Sequence, residues 1–215
     1  MLTLAIDTSL PILSVALLSD RLLIGSIAME GKDSRNEKLL PAVDWLLSES
    51  GTDRHAIGLF AVTRGPGSFT GVRIGLATIQ GLALALGRPV CAMSTHEAIA
   101  LGEGGSHDGA IPALERTLVW DDAGRGEVYV SLFEGHHEVI EPRLASEEER
   151  DALASTAALV IPVADFAQHA NVAVACARRA FELLSSKDLE RYADATPIYV
   201  RLAEAEVKLQ QKQNG

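Results

Sequence analysis

The most unusual segment of this 215-residue chain is Arg64-Gly65-Pro66-Gly67-Ser68-Phe69-Thr70-Gly71-Val72-Arg73-Ile74-Gly75, which leaves one apolar run and opens a helical one. Gly65 and Gly67 permit backbone angles closed to other residues, Pro66 stiffens the turn, and Ser68 or Thr70 can cap the helix behind it. Free N–H groups at a helix start attract negative charge, and Arg64 and Arg73 add to that field, so a phosphate or carboxylate could sit on Gly65, Gly67, Ser68 and Arg73. The familiar phosphate-loop pattern is absent, because three residues separate Gly67 from Gly71 and Val72 stands where a lysine belongs. An anion site and a plain structural turn both remain open.

Other constellations speak against an enzyme. Asp7-Thr8-Ser9 offers an acid and hydroxyls of the kind that hold a metal–phosphate group, yet Leu10-Pro11 follows where a phosphate cradle needs glycine and free N–H groups. The preferred reading of Asp7 and Thr8 is a hydroxyl-rich hairpin turn. The six histidines, His55, His96, His107, His136, His137 and His169, include no pair at i and i+4, so no metal site is expected. In Gly67-Ser68-Phe69-Thr70-Gly71 the serine is second, not third, which is not a nucleophile elbow, and no catalytic residue is assigned. Asp121, Asp122 and Glu127 around Gly124-Arg125-Gly126 could bind a cation but read better as a solvated hairpin. Cys91 and Cys176 lie in apolar surroundings and are read as structural thiols. The net charge of −10 opposes a phosphate backbone, so any nucleic acid is expected to be gripped chiefly by another chain.

The elements that must position these groups follow from periodicity. Apolar runs at Leu2–Ile6, Ile12–Leu18 and Leu22–Ala28 read as a strand meander, 35–50 as an amphipathic helix closed by Gly51, Leu59–Val62 as a buried strand, Val72–Leu86 as a helix and Pro89–Met93 as a strand. After a soft stretch at 102–109, strands are expected at Thr117–Trp120, Val128–Phe133, Glu138–Ile140 and Leu159–Val163, with helices at Glu147–Ala154 and Asn171–Leu184. This predicts an α/β fold of two lobes, 1–101 and 102–198, with 199–215 returning to the first lobe or fraying. Val72–Leu86 is apolar around nearly its whole circumference, with Ala77, Gly81 and Ala85 forming a small-residue line at spacing four. A central helix inside its own lobe would explain this, but a protein interface is preferred. No run of about 18 apolar residues is read as a membrane span, and the start of the chain shows no leader, so a cytoplasmic protein is expected.

Leu4-Ala5-Ile6-Asp7-Thr8-Ser9, the full Arg64–Gly75 segment, Gly126-Glu127-Val128-Tyr129 and Pro197-Ile198-Tyr199-Val200-Arg201 together resemble the TsaB (YeaZ) family of bacterial threonylcarbamoyladenosine synthesis. The resemblance implies an actin-like (ASKHA, RNase H-like) fold with mixed sheets flanked by helices. It implies a non-catalytic paralogue of TsaD that pairs with TsaD and the ATPase TsaE to place a threonylcarbamoyl group on N6 of adenosine 37 in tRNAs reading ANN codons. It further implies that Leu39, Leu40, Val43, Arg73, Ile74, Ala77, Thr78, Gly81 and Ala85 face TsaD, or a second copy when TsaD is absent. The chain would have no cofactor of its own. The complex would use ATP, with a nucleotide at the subunit boundary reaching Asp7, Thr8, Gly65, Gly67, Ser68 and Arg73, and tRNA would be bound through the complex.

Three departures stand out: Arg35-Asn36-Glu37 in place of His-Ser-Glu, Asp122-Ala123-Gly124 in place of Asp-Ala-Arg, and Ile161-Pro162-Val163 in place of a glycine-rich turn. The rival expectation is an ATP-binding or glycoprotease-like (peptidase M22-type) enzyme of the same fold.

Overall fold

The computed structural model describes residues 1–30, 35–102, 116–186 and 188–200. Most of the soft stretch at 102–109, the side chain of Arg35, His107, Arg201 and the remainder of the tail lie outside the described residues. The elements run β1 (Leu2–Asp7), β2 (Ile12–Ser19), β3 (Leu22–Glu30), α1 (Arg35–Glu49), β4 (Ile57–Thr63), α2 (Phe69–Leu86), β5 (Val90–Met93) and α3 (Thr95–Gly102). They continue with β6 (Arg116–Gly124), β7 (Glu127–Glu134), β8 (His137–Ser146), α4 (Glu147–Ala154), β9 (Leu159–Pro162), α5 (Val163–His169) and α6 (Val172–Ser186).

The first sheet has the order β3-β2-β1-β4-β5 and the second the order β8-β7-β6-β9. In each, the meander strands pair antiparallel and those beyond pair parallel, as in β1 with β4 and β6 with β9. The second sheet thus repeats the layout of the first, which is the two-lobed actin-like arrangement. Strand β1 sits at the centre, with Ile6 opposite Val15 of β2 and beside Val62 of β4. A strand flanked on both edges and covered on both faces has no use for polar alternation, which is why β1 and β4 read as continuous apolar runs.

The alternation is in size. Leu4, Ile6, Phe60 and Val62 point to one face, where α1 and α2 cover them, while Ala5, Ala16, Leu59 and Ala61 point to the other. There the small side chains of α6, Ala173, Cys176, Ala177 and Ala180, let the helix approach the sheet closely. Cys91 and Cys176 are free and buried in this same layer, and burial pushes the Cys91 thiol up to about 12, so both pack as small apolar groups.

Helix α6 corrects the expected lobe boundary: it follows the second sheet in sequence, yet it packs on the first. In exchange α3, which precedes the second sheet in sequence, gives Ile99, Ala100 and Leu101 to a cluster with Val119 and Phe133 of the second sheet. The two lobes are therefore cross-braced by exchanged helices. Helices α3 and α5, of eight and seven residues, are not among the helices that the periodicity predicts. Helix α2 starts three residues earlier than its apolar run, because the Ser68 hydroxyl accepts from the Gly71 N–H at 3.2 Å and caps the first turn.

By length and composition α2 does meet the minimum for a membrane span, contrary to the sequence reading. Its buried residues Gly71, Val72, Gly75, Leu76, Ile79 and Ala83 form one stripe, and that stripe lies on the sheet.

His96 of α3 is fully enclosed and hydrogen-bonds Ser131 of β7 at 2.8 Å through Nδ1. Burial pushes the ring down to about 3 from its ordinary 6.5, so the folded protein refuses a proton that the unfolded chain accepts. Stability should hold above about pH 6.5 and fall by up to about 1.4 kcal/mol per pH unit as the pH drops from there toward 3. Urea unfolding across that range checks this, and a His96→Gln variant should show a shallower decline.

Candidate functional site

Two chain reversals meet at the C-terminal end of β1. Asp7, Thr8 and Ser9 are each about 1% exposed. Asp7 Oδ1 accepts from the Ser9 N–H at 3.1 Å, from the Ser9 hydroxyl at 2.5 Å and from the Thr63 hydroxyl of β4. The Thr8 hydroxyl donates to the Gly71 carbonyl at 2.6 Å, and the Ser68 N–H donates to the Ser9 carbonyl at 2.7 Å. The Thr95 N–H donates to the Gly65 carbonyl at 2.7 Å, and the Thr95 hydroxyl lies 3.0 Å from that of Ser9. The glycine segment is thereby laced to the β1–β2 turn and to the start of α3.

That lacing explains the glycines. Gly67 has φ +146 and Gly65 φ +100, and a Cβ on Gly67 would overlap the Ser9 carbonyl oxygen and lie 3.0 Å from the Ser9 carbonyl carbon. Of the residues named for an anion, Asp7, Thr8, Gly65, Gly67 and Ser68 come together in this knot, with the Ser68 and Gly71 N–H groups donating inside the protein. Arg73 does not join them: it stands one turn along α2, on the outward face.

That outward face carries most of the residues expected at an interface. Arg73, Ala77, Gly81, Leu84 and Ala85 are exposed, Leu84 to 85%, and a Cβ on Gly81 would meet nothing within 4 Å. Phe69, Thr70, Arg73, Ile74, Ala77 and Thr78 line a shallow groove of about 340 Å³. Helix α1 lies beside α2 and exposes Leu40 and Trp45. Leu39 and Val43 are a correction: at 1% and 3% exposed they belong to the lobe's own core, because the stripe of α1 that contains them faces β2 and the sheet. Asp121 and Asp122 are paired residues near the end of β6, opposite Tyr129 and Val128 of β7, just before a hairpin turn where Asp122 accepts from the Gly124 N–H at 2.6 Å and Gly124, Arg125 and Gly126 all take positive φ. Burial, the largest influence there, pushes the Asp121 carboxyl above its ordinary range.

Sequence reasoning missed one charged cluster. Arg179 of α6 lies 3.1 Å from Glu97 of α3, and the Tyr192 hydroxyl donates to the same carboxylate at 2.7 Å. Glu97 and Arg179 are 6% and 8% exposed. Ser94 accepting from the Glu97 N–H at 2.9 Å marks a helix start, and Ser94-Thr95-His96-Glu97 is the pattern that could have revealed it. Nothing local connects Glu97 to an arginine 82 residues away.

Among known proteins, the family described as TsaD: tRNA N6-adenosine threonylcarbamoyltransferase matches residues 30–202. The chain belongs to this family. Its relatives include TsaB proteins: tRNA threonylcarbamoyladenosine biosynthesis protein TsaB of Bacillus subtilis (strain 168) is 35% identical over 141 residues, covering 66% of this chain and 58% of that protein. The TsaB of Escherichia coli (strain K12) is 40% identical over 126 residues, covering 59% and 52%. The chain thus spans little more than half the length of the curated TsaB proteins it matches. A solved structure described as an uncharacterized protein with similarity to peptidase YEAZ, from Pseudomonas aeruginosa, superposes with a TM-score of 0.71 at 26% identity. It covers 93% of this chain and 99% of the other, so the TsaB (YeaZ) fold, two actin-like lobes, extends over nearly all of it.

Proposed function

We propose that this chain is the TsaB-type partner subunit of a tRNA-modifying assembly, with no catalysis of its own. It pairs with a TsaD-type threonylcarbamoyltransferase and a TsaE-type ATPase in the cytoplasm for N6-threonylcarbamoylation of adenosine 37 in tRNAs reading ANN codons. ATP is consumed by the complex, a nucleotide sits at the subunit boundary, and tRNA is held through the complex. Alone, the chain pairs with a second copy.

The observation that carries this reading is the outward face of α2, where Ala77, Gly81, Leu84 and Ala85 stand exposed on a helix otherwise built for burial. Small residues one turn apart let another helix pack closely, and apolar exposure of this kind marks an interface. The internal use of Asp7, Ser9 and Ser68 supports a scaffold over a phosphotransfer site.

Gly81→Leu is the direct test. Because open space surrounds Gly81, the free chain should fold with unchanged stability. Affinity for the transferase subunit, read by calorimetry, should drop by about 1–3 kcal/mol through overpacking at the joint. Threonylcarbamoyl-adenosine formation on tRNA should need both chains and fall in parallel. Wild-type affinity in the folded variant, or modification by the isolated chain, would overturn the reading.

A further inference from the structure

The described part of the C-terminal segment, up to residue 200, returns across the first lobe to α2. The Gln80 side chain donates to the Ala195 carbonyl at 3.4 Å, and the Ile198 N–H donates to the Arg64 carbonyl at 2.7 Å. This brings Tyr199 beside the groove on the outward face. Its ring lies 5.0 Å from that of Phe69, centroid to centroid, and its hydroxyl accepts from Arg73 Nε at 2.6 Å. The Arg73 guanidinium carbon is 3.8 Å from the centre of the Phe69 ring and 5.4 Å from that of Tyr199. Arg73 is the one charged residue of α2, and among the described residues no carboxylate pairs with it.

An exposed arginine ordinarily samples many rotamers, and ordering it on binding costs affinity. Here stacking on Phe69 and the bond from Nε to Tyr199 order it in advance. The hydrogen bond uses Nε and leaves the two terminal nitrogens, the pair that grips a carboxylate in a fork. We propose that the Tyr199–Phe69 platform holds Arg73 as a preset anchor for a carboxylate side chain of the transferase subunit. Arg73 contacts the partner and Tyr199 is a positioning residue. The inference rests on the partner-subunit reading and adds the chemistry of the contact: an acidic residue at the Arg73 end of a face that is otherwise small and apolar. A second α2 does not supply it, since that helix carries no acid; in a second copy α1, with Glu37, Asp44 and Glu49, has carboxylates beside this face, an outcome the test below separates.

The test is calorimetric titration of the full chain with the transferase subunit at low and at high ionic strength. Arg73→Gln should lower affinity about 10- to 100-fold at low salt, the scale of a lost charge-assisted bond at a covered arginine. It should also flatten the salt dependence shown by the unsubstituted chain. Tyr199→Phe keeps the ring and the charge but removes the acceptor, and should weaken binding by about threefold to tenfold, the scale of one hydrogen bond, with the salt dependence retained. Neither change should move the unfolding midpoint. Arg73→Gln binding with unchanged affinity and salt slope overturns the anchor and leaves the function standing. If only self-association is lost, the anchor belongs to a second copy and the proposal falls. Failure of the unsubstituted chain to bind overturns the anchor and the partner-subunit reading together.

Discussion

Gly67→Ala is expected to cost about 2–4 kcal/mol of stability, among the largest effects of any single methyl group in this chain. Two penalties combine. The backbone at Gly67 has φ +146, a conformation L side chains rarely adopt, and the added Cβ would overlap the Ser9 carbonyl, which is itself tied to the Ser68 N–H at 2.7 Å. The clash is with backbone, so no rotamer change relieves it. Gly81→Ala, farther along α2 in open space at a helical position, is the control and should be neutral or slightly stabilising. Urea unfolding of both variants separates the two. Equal stability would show that the two turns do not need their close approach.

Glu97→Ala is expected to cost about 3–5 kcal/mol, because it strands the Arg179 guanidinium at 8% exposure and takes the acceptor from the Tyr192 hydroxyl. Glu182, 3.7 Å from the other arm of Arg179, offsets part of the loss and places the effect toward the lower end. Replacing both members, Glu97→Ala with Arg179→Leu, should recover much of the stability, since an apolar pair leaves no unpaired charge. A double variant as unstable as the single one would mean that the pair acts through packing alone.

What the sequence displays follows from what is local. The three opening strands, β4 and the body of α2 announce themselves because their apolar runs are long and bounded by turn residues. The exposed apolar face of α2 is legible for a related reason: apolar residues around the whole circumference exceed what one sheet can cover. The side of α1 is not, since Leu39, Leu40, Val43, Leu46 and Leu47 define a stripe without saying whether it meets its own sheet or another chain. The structure gives Leu39 and Val43 to the core and leaves Leu40 outside. Both the knot at Asp7 and the clamp at Arg73 depend on residues far apart in sequence, Ser9 with Ser68 and Arg73 with Tyr199, and no periodicity encodes such meetings.

The crossing of α6 sets an order of events during synthesis. All five strands of the first sheet have been synthesised once residue 93 is made, but the side that carries Ala5, Ala16 and Ala61 stays without its helix until residues 172–186 are made. At translation speeds of roughly 5–20 residues per second that interval lasts several seconds, ample time for an apolar surface to find a wrong neighbour. That side carries Leu18, Leu59 and Met93 beside its alanines, so it stays an apolar surface until α6 covers it.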